Sequence, residues 1–418
     1  MKGIVMGKHT YKIILLAGAM VFANPAMAAS VKAFPSNQGG AQEAAVNRIA
    51  AAQTLHPTSP FSIFTPKRQT RSSTIDYSVW DAALQNVVLR LGQSIRVRAK
   101  RPNPIVGTRM ITGHRSAYRL EGSRVMFSHL TPEYKAELTA YRKDLERIAN
   151  NVDITALAKK EQLAFWFNLH NVALIEQIAL HYPVRQPEKL RIGPNNELLN
   201  EAKILNIRGV PMSLRDIREK IVYPNWSNPD VMYGFFRGNI GGPALQNYAF
   251  TSRNVDEIIK LQAWDFVNSL RGFHESRKAR KVSTLYEEVR PFYFKNWPDD
   301  LIAHLRKHAE PDVLKELASD KPVEFDRYDP VVADLNGGDR PRTANLNVVL
   351  NGQRLGAKVS PETLRLLQEL DNKTKIMRRR GMIGKRKGVV TIEDIPTVDI
   401  DLGDDYNDET TNLETPSK

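Results

Sequence analysis

EQLAFWFNLHNVALIEQIALHYP, running from Glu161 to Pro183, is the stretch on which the fold turns. Aromatic and aliphatic residues lie on every side of the helix it predicts, so that helix is buried all round rather than along one face. At about 100° per residue, Glu161, Asn168 and Asn171 share a stripe with Ala164, Val172 and Ile175. A buried amide without partners costs roughly 1–3 kcal/mol. Three polar groups on one stripe therefore imply an internal hydrogen-bond network, a ligand, or both. His170 falls roughly 160° away on the same wheel. It reads as a core histidine that does not share a site with the two asparagines.

Working outward, Val79–Leu91 (VWDAALQNVVLRL) has helical spacing, and Thr131-Pro132 opens a second helix that runs through Ile148. Downstream, residues 201–210 predict a short strand, and Ser213 with Asp216 three residues on approximates a capping box. Residues 227–250 are rich in glycine and aromatics, with Gly241-Gly242-Pro243 reading as a tight turn. Helices are predicted over Asn254–Leu270, Val282–Phe294 and Asp299–Leu317, then a hairpin and a helix capped at Ser360-Pro361. The expected fold is α+β and predominantly helical, with one main domain at 74–340 around a buried central helix at 161–181.

The ends differ from this body. Lys2, Lys8 and Lys12 precede an apolar run, Ile13–Ala23, and an A-x-A site at Ala26-Met27-Ala28. Residues 1–28 read as a cleaved signal peptide, giving a periplasmic or secreted protein; an uncleaved anchor is the alternative. No later run is apolar enough to span a bilayer, so no transmembrane span is expected after cleavage. Residues 29–73, rich in Ala, Ser, Pro and Gln, predict a flexible N-terminal arm. Zero cysteines in 418 residues exclude disulfides, thiolate nucleophiles and Cys-ligated zinc. The net charge of +14 falls to +11 once the three signal lysines are removed. That balance fits an anionic envelope component, a lipid headgroup or acidic polymer, as partner, with a solvated basic surface as the bland alternative. Residues 341–392 form a basic region in which Arg378, Arg379, Arg380, Lys385, Arg386 and Lys387 are candidate anion-binding residues. An acidic, disordered tail at 393–418 follows and could neutralise them instead.

No P-loop, dinucleotide fingerprint, H-E-x-x-H, G-x-S-x-G or specific nucleic-acid motif is present, and the histidines read as scattered. No metal or cofactor is expected. Five passages in order resemble the DUF547 family, a domain of unknown function, over residues 130–340. They are AFWFNLHN (Ala164–Asn171), MSLRDIREKI (Met212–Ile221), VMYGFFRGNIGGPALQNYAFT (Val231–Thr251), VSTLYEEVRPFY (Val282–Tyr293) and YDPVVADLN (Tyr328–Asn336). Where that family usually carries His, Asn and two Cys, an ungapped comparison puts Met232, Phe236, Arg237 and Gly242 here. Any thiol chemistry of the relatives is thus closed to this chain. The resemblance implies kinship of fold rather than an activity. The candidate polar core or ligand site comprises Glu161, Asn168, Asn171, Asp216, Arg237 and Asn239. The favoured reading is an exported, non-catalytic binding or structural module of the bacterial envelope. Its rival is a hydrolase or transferase acting on an envelope polymer, with Glu161 and Asp216 as acid or base.

Overall fold

The computed structural model describes residues 59–104, 113–326, 329–340, 346–350, 353–357 and 360–383. The expected signal, most of the arm, the acidic tail, and Lys385, Arg386 and Lys387 lie outside the described residues.

Three helices build the first half: α1 (Ser78–Val87), α2 (Pro132–Asn151) and α3 (Lys159–Leu180). Thr131 caps α2 by accepting the Tyr134 N–H at 3.3 Å, and Pro132 supplies the pre-set first turn. Leu138, Tyr141, Leu145 and Ile148 then fall on its buried face, where Tyr141 stacks on Trp80 of α1. Helix α3 is the centre, with every residue from Glu161 to Glu176 buried. Removing side chains such as Phe165, Trp166 and Phe167 from water stabilises the fold by roughly 1.5–3 kcal/mol each.

The second half packs α4 (Val255–Val267), α5 (Leu285–Tyr293), α6 (Asp299–His308) and α7 (Pro311–Leu317) around that centre. A last helix, α8 (Pro361–Arg379), is capped by Ser360. The sheets are small. Val88–Arg90 pairs antiparallel with Ser123–Val125, and Leu205–Ile207 with Val210–Met212. Arg280–Val282 lies antiparallel to Phe273–Glu275 and parallel to Val323–Phe325. The architecture is α+β and mostly helical. One apolar cluster runs from Phe64 to Ala333, and a smaller one joins Leu91 and Leu120 to Leu366 and Leu370 of α8.

Several boundaries differ from the sequence reading. The first helix stops at Val87 rather than Leu91, because β-branched Val88 enters a strand opposite Val125. The 299–317 stretch is two helices. Pro311 holds Glu310 extended and removes an N–H from the ladder, so the chain restarts there. Residues 59–72, read as part of a flexible arm, are docked. Phe64 meets Trp166 edge-on at 5.4 Å, and the Lys67 and Thr70 N–H groups donate to the carbonyls of Thr155 and Ala156 at 3.0 Å. The basic C-terminal region contributes a buried element as well. The Lys373 amine is interred and donates to the carbonyls of Leu91 and Leu120, each at 2.8 Å. Burial lowers its pKa to about 8. No helix among the described residues is long and apolar enough to cross a membrane.

Candidate functional site

Asn168 and Asn171 of α3 are committed to the backbone of segments that lack ladders of their own. The Asn168 amide donates to the Phe250 carbonyl at 2.7 Å and accepts the Phe250 N–H at 3.1 Å. The Asn171 amide clamps the next segment in the same way, donating to Gly234 O at 3.1 Å and accepting from Phe236 N at 3.0 Å. Each amide imitates a neighbouring strand for a loop that has none. Gly234 is required in that embrace, since a Cβ there would sit 2.4 Å from the Phe167 ring. Glu161 accepts the Ile75 N–H at 2.9 Å, which fastens the start of α1 to α3. Asn168→Ala strands a buried donor and acceptor on Phe250 and is expected to cost about 1–3 kcal/mol. A denaturant midpoint unchanged from the parent would refute the structural role.

On another side of α3 lies a charged cluster. The capping box at Ser213 and Asp216, with its side-chain bond at 2.9 Å, starts a short helix. It widens into a π turn over Ile217–Val222, which carries Arg218 inward. Arg218 donates to His170 Nε2 at 3.0 Å, Asn200 Oδ1 at 3.2 Å and Glu288 Oε1 at 3.2 Å. Arg237 binds the same carboxylate with both terminal nitrogens, at 2.9 and 2.6 Å, and Tyr223 donates to it at 3.2 Å. Burial works against ionising Glu288, but the two guanidinium groups prevail and hold its carboxyl well below the ordinary range. His170 Nδ1 faces Asn171 Oδ1 at 3.1 Å, which places the proton on Nδ1 and leaves Nε2 to accept from Arg218. Burial, then Arg218 and Arg237, hold His170 well below its ordinary pKa. The expectation that His170 stands apart from the asparagines is therefore corrected: one-residue spacing lets a long imidazole bend back to its neighbour.

The six candidate residues do not converge on one cavity. Glu161 borders a hollow of about 640 Å³ beside Tyr77. Asp216 is spent on its capping box and a contact to Lys203. Asn239 accepts the Gly242 N–H at 3.0 Å and shapes the turn at Gly241. Of the basic block, Arg380 donates to Ile95 O at 2.9 Å, while Arg378 and Arg379 are exposed.

Three features were missed. Glu288 anchors the charged cluster, yet sits in an ordinary amphipathic helix with nothing in the pattern to mark it. A cleft of about 930 Å³ opens beside Tyr223, lined by Lys159, Arg290, Lys295, Phe292 and Tyr293; none of its described lining residues is acidic. His304 and His308 stand four apart on α6, facing Asp230, and these three residues could hold a metal ion. The reading of the histidines as scattered overlooked that H-x-x-x-H spacing, which was legible in the sequence.

Residues 154–267 match the sequence profile of the family described as "Protein of unknown function, DUF547". The matched span runs from the turn before α3 to the end of α4, and so contains both asparagine clamps and Arg218. No curated protein and no solved structure shows a significant match to the chain.

Proposed function

We propose that this DUF547-containing chain is an exported, non-catalytic binding module of the bacterial envelope that takes an acidic saccharide in the cleft beside Tyr223. The observation that carries the reading is the make-up of that cleft. Lys159, Arg290 and Lys295 are exposed and make no ion pair among the described residues. Lys159 lies 5.5 Å from the Trp226 ring and Arg290 5.0 Å from the Trp297 ring, while Tyr223, Phe292 and Tyr293 add aromatic surface to the lining. Cations attract carboxylate or sulfate groups, and aromatic faces accept the apolar side of a sugar ring. The polar centre supports the non-catalytic half, since its asparagines are bonded to backbone and its arginines to Glu288. The signal pattern at residues 1–28 supports export.

Titration with a heparin oligosaccharide in low salt checks the proposal. Replacing Arg290 and Lys295 together with alanine is expected to weaken binding about tenfold or more, with a shallower salt dependence. Binding that survives this change but falls on neutralising Arg378, Arg379 and Arg380 would move the site to the C-terminal helix. The hydrolase reading draws its support from the hollow at Glu161 and Tyr77. Turnover of an envelope polymer that disappears in Glu161→Gln would favour it.

A further inference from the structure

We propose that Asp230, His304 and His308 hold one divalent transition-metal ion. Their donor atoms all lie within 4.8 Å of one another, and all three residues are buried. His304 and His308 are one turn apart on α6, so both imidazoles leave the same face of the helix. Asp230 comes from the helical turn Pro229–Gly234, where Asn228 caps its N–H at 3.1 Å. Asp230 Oδ1 is 2.8 Å from His308 Nε2 and 3.9 Å from His304 Nδ1. An ion about 2.0–2.2 Å from each donor fits after small side-chain shifts and loss of the His308 proton.

The surroundings are arranged as metal ligands require. Tyr233 Oη lies 2.9 Å from His304 Nε2 and 3.2 Å from Tyr286 Oη. Tyr233 can accept from His304 Nε2–H while donating to Tyr286. That tautomer turns the Nδ1 lone pair toward the Asp230 carboxylate, an arrangement a cation between them resolves. A salt-bridged Asp–His pair accounts for His308, and Tyr233 for His304 Nε2; neither accounts for His304 Nδ1 facing the carboxylate. A hollow of about 490 Å³, lined by Glu257, Lys260, Trp264 and Lys307, borders the site at His308. Lys307 donates to Asp230 Oδ2 at 3.2 Å, but its side chain is 57% exposed and free to swing outward. Two imidazoles and one carboxylate select zinc, cobalt or iron over calcium or magnesium.

The test uses the full chain, freed of any affinity tag and stripped with a chelator, then titrated with zinc or cobalt salts. One equivalent is expected to bind and raise the melting temperature. Asp230→Asn and His308→Gln should each weaken binding about 100-fold or more, whereas Lys307→Ala, by removing a competing cation, should tighten it. Absence of binding, or equal affinity in all variants, overturns the proposal. Should the ligand variants fail to fold, X-ray absorption of the zinc-loaded parent decides. Two imidazole nitrogens at about 2.0–2.1 Å support the site, and their absence refutes it.

Discussion

Glu288→Ala is expected to destabilise the chain by about 3–5 kcal/mol. The side chains of Arg218 and Arg237 are 1% and 8% exposed, and Glu288 is the carboxylate both of them bind. Truncation leaves two guanidinium groups facing each other and His170 without their counter-charge. Most of the loss comes from that stranded charge rather than from the attraction removed. Glu288→Gln should fall between, keeping acceptor geometry for one arginine while losing the charge. Replacing Glu288, Arg218 and Arg237 together with apolar residues of similar volume should recover much of the stability. Chemical denaturation of the four proteins checks the ordering; a single alanine variant within about 0.5 kcal/mol of the parent would show that solvent reaches the cluster.

The second large effect is on acid stability. His114 and His170 are fully buried and held neutral. Burial and then Arg124 lower the His114 pKa to about 3, with Arg119 and Arg365 acting in the same sense. Protonating His170 would set a second N–H against the Arg218 guanidinium, and the Glu288 charge does not outweigh that. A histidine whose pKa is lower folded than unfolded contributes stability that is present above about pH 6.5 and lost as pH falls below it. At pH 5 each costs about 2 kcal/mol relative to neutral pH, or about 4 kcal/mol together. Asp334 acts oppositely. Burial raises its carboxyl to about 6 despite N–H donors from Asn336 and Gly338, so it takes up a proton in the folded state first. This offsets about 1 kcal/mol of the loss from those two histidines at pH 5. His170→Gln should flatten the slope between pH 5 and 6.5 by about 1.1 kcal/mol per pH unit on average. Parallel stability profiles for parent and variant would contradict this.

What could be read from the chain follows the range of the interactions involved. Helix α3 and the caps at Thr131, Ser213 and Ser360 were legible because period and capping are local. The limits of α1, α5 and α7 were not, because Val88, Arg280–Val282 and Pro311 answer to distant strands or to one backbone N–H. The stripe of Asn168 and Asn171 announced buried polar groups; what it could not announce was Phe250 and Gly234, which lie 82 and 63 residues away. Glu288 is invisible on the same ground, 70 residues from Arg218 and 51 from Arg237. His304 and His308, by contrast, were within reach of a simple spacing rule.

The buried amine of Lys373 also sets an order of assembly. It reaches carbonyls 282 and 253 residues earlier, at Leu91 and Leu120. Until that lysine has been synthesised, the carbonyls of Leu91 and Leu120 stay open and the smaller apolar cluster stays uncovered. That smaller cluster therefore closes late, with α8 acting as the latch on one of the first strands.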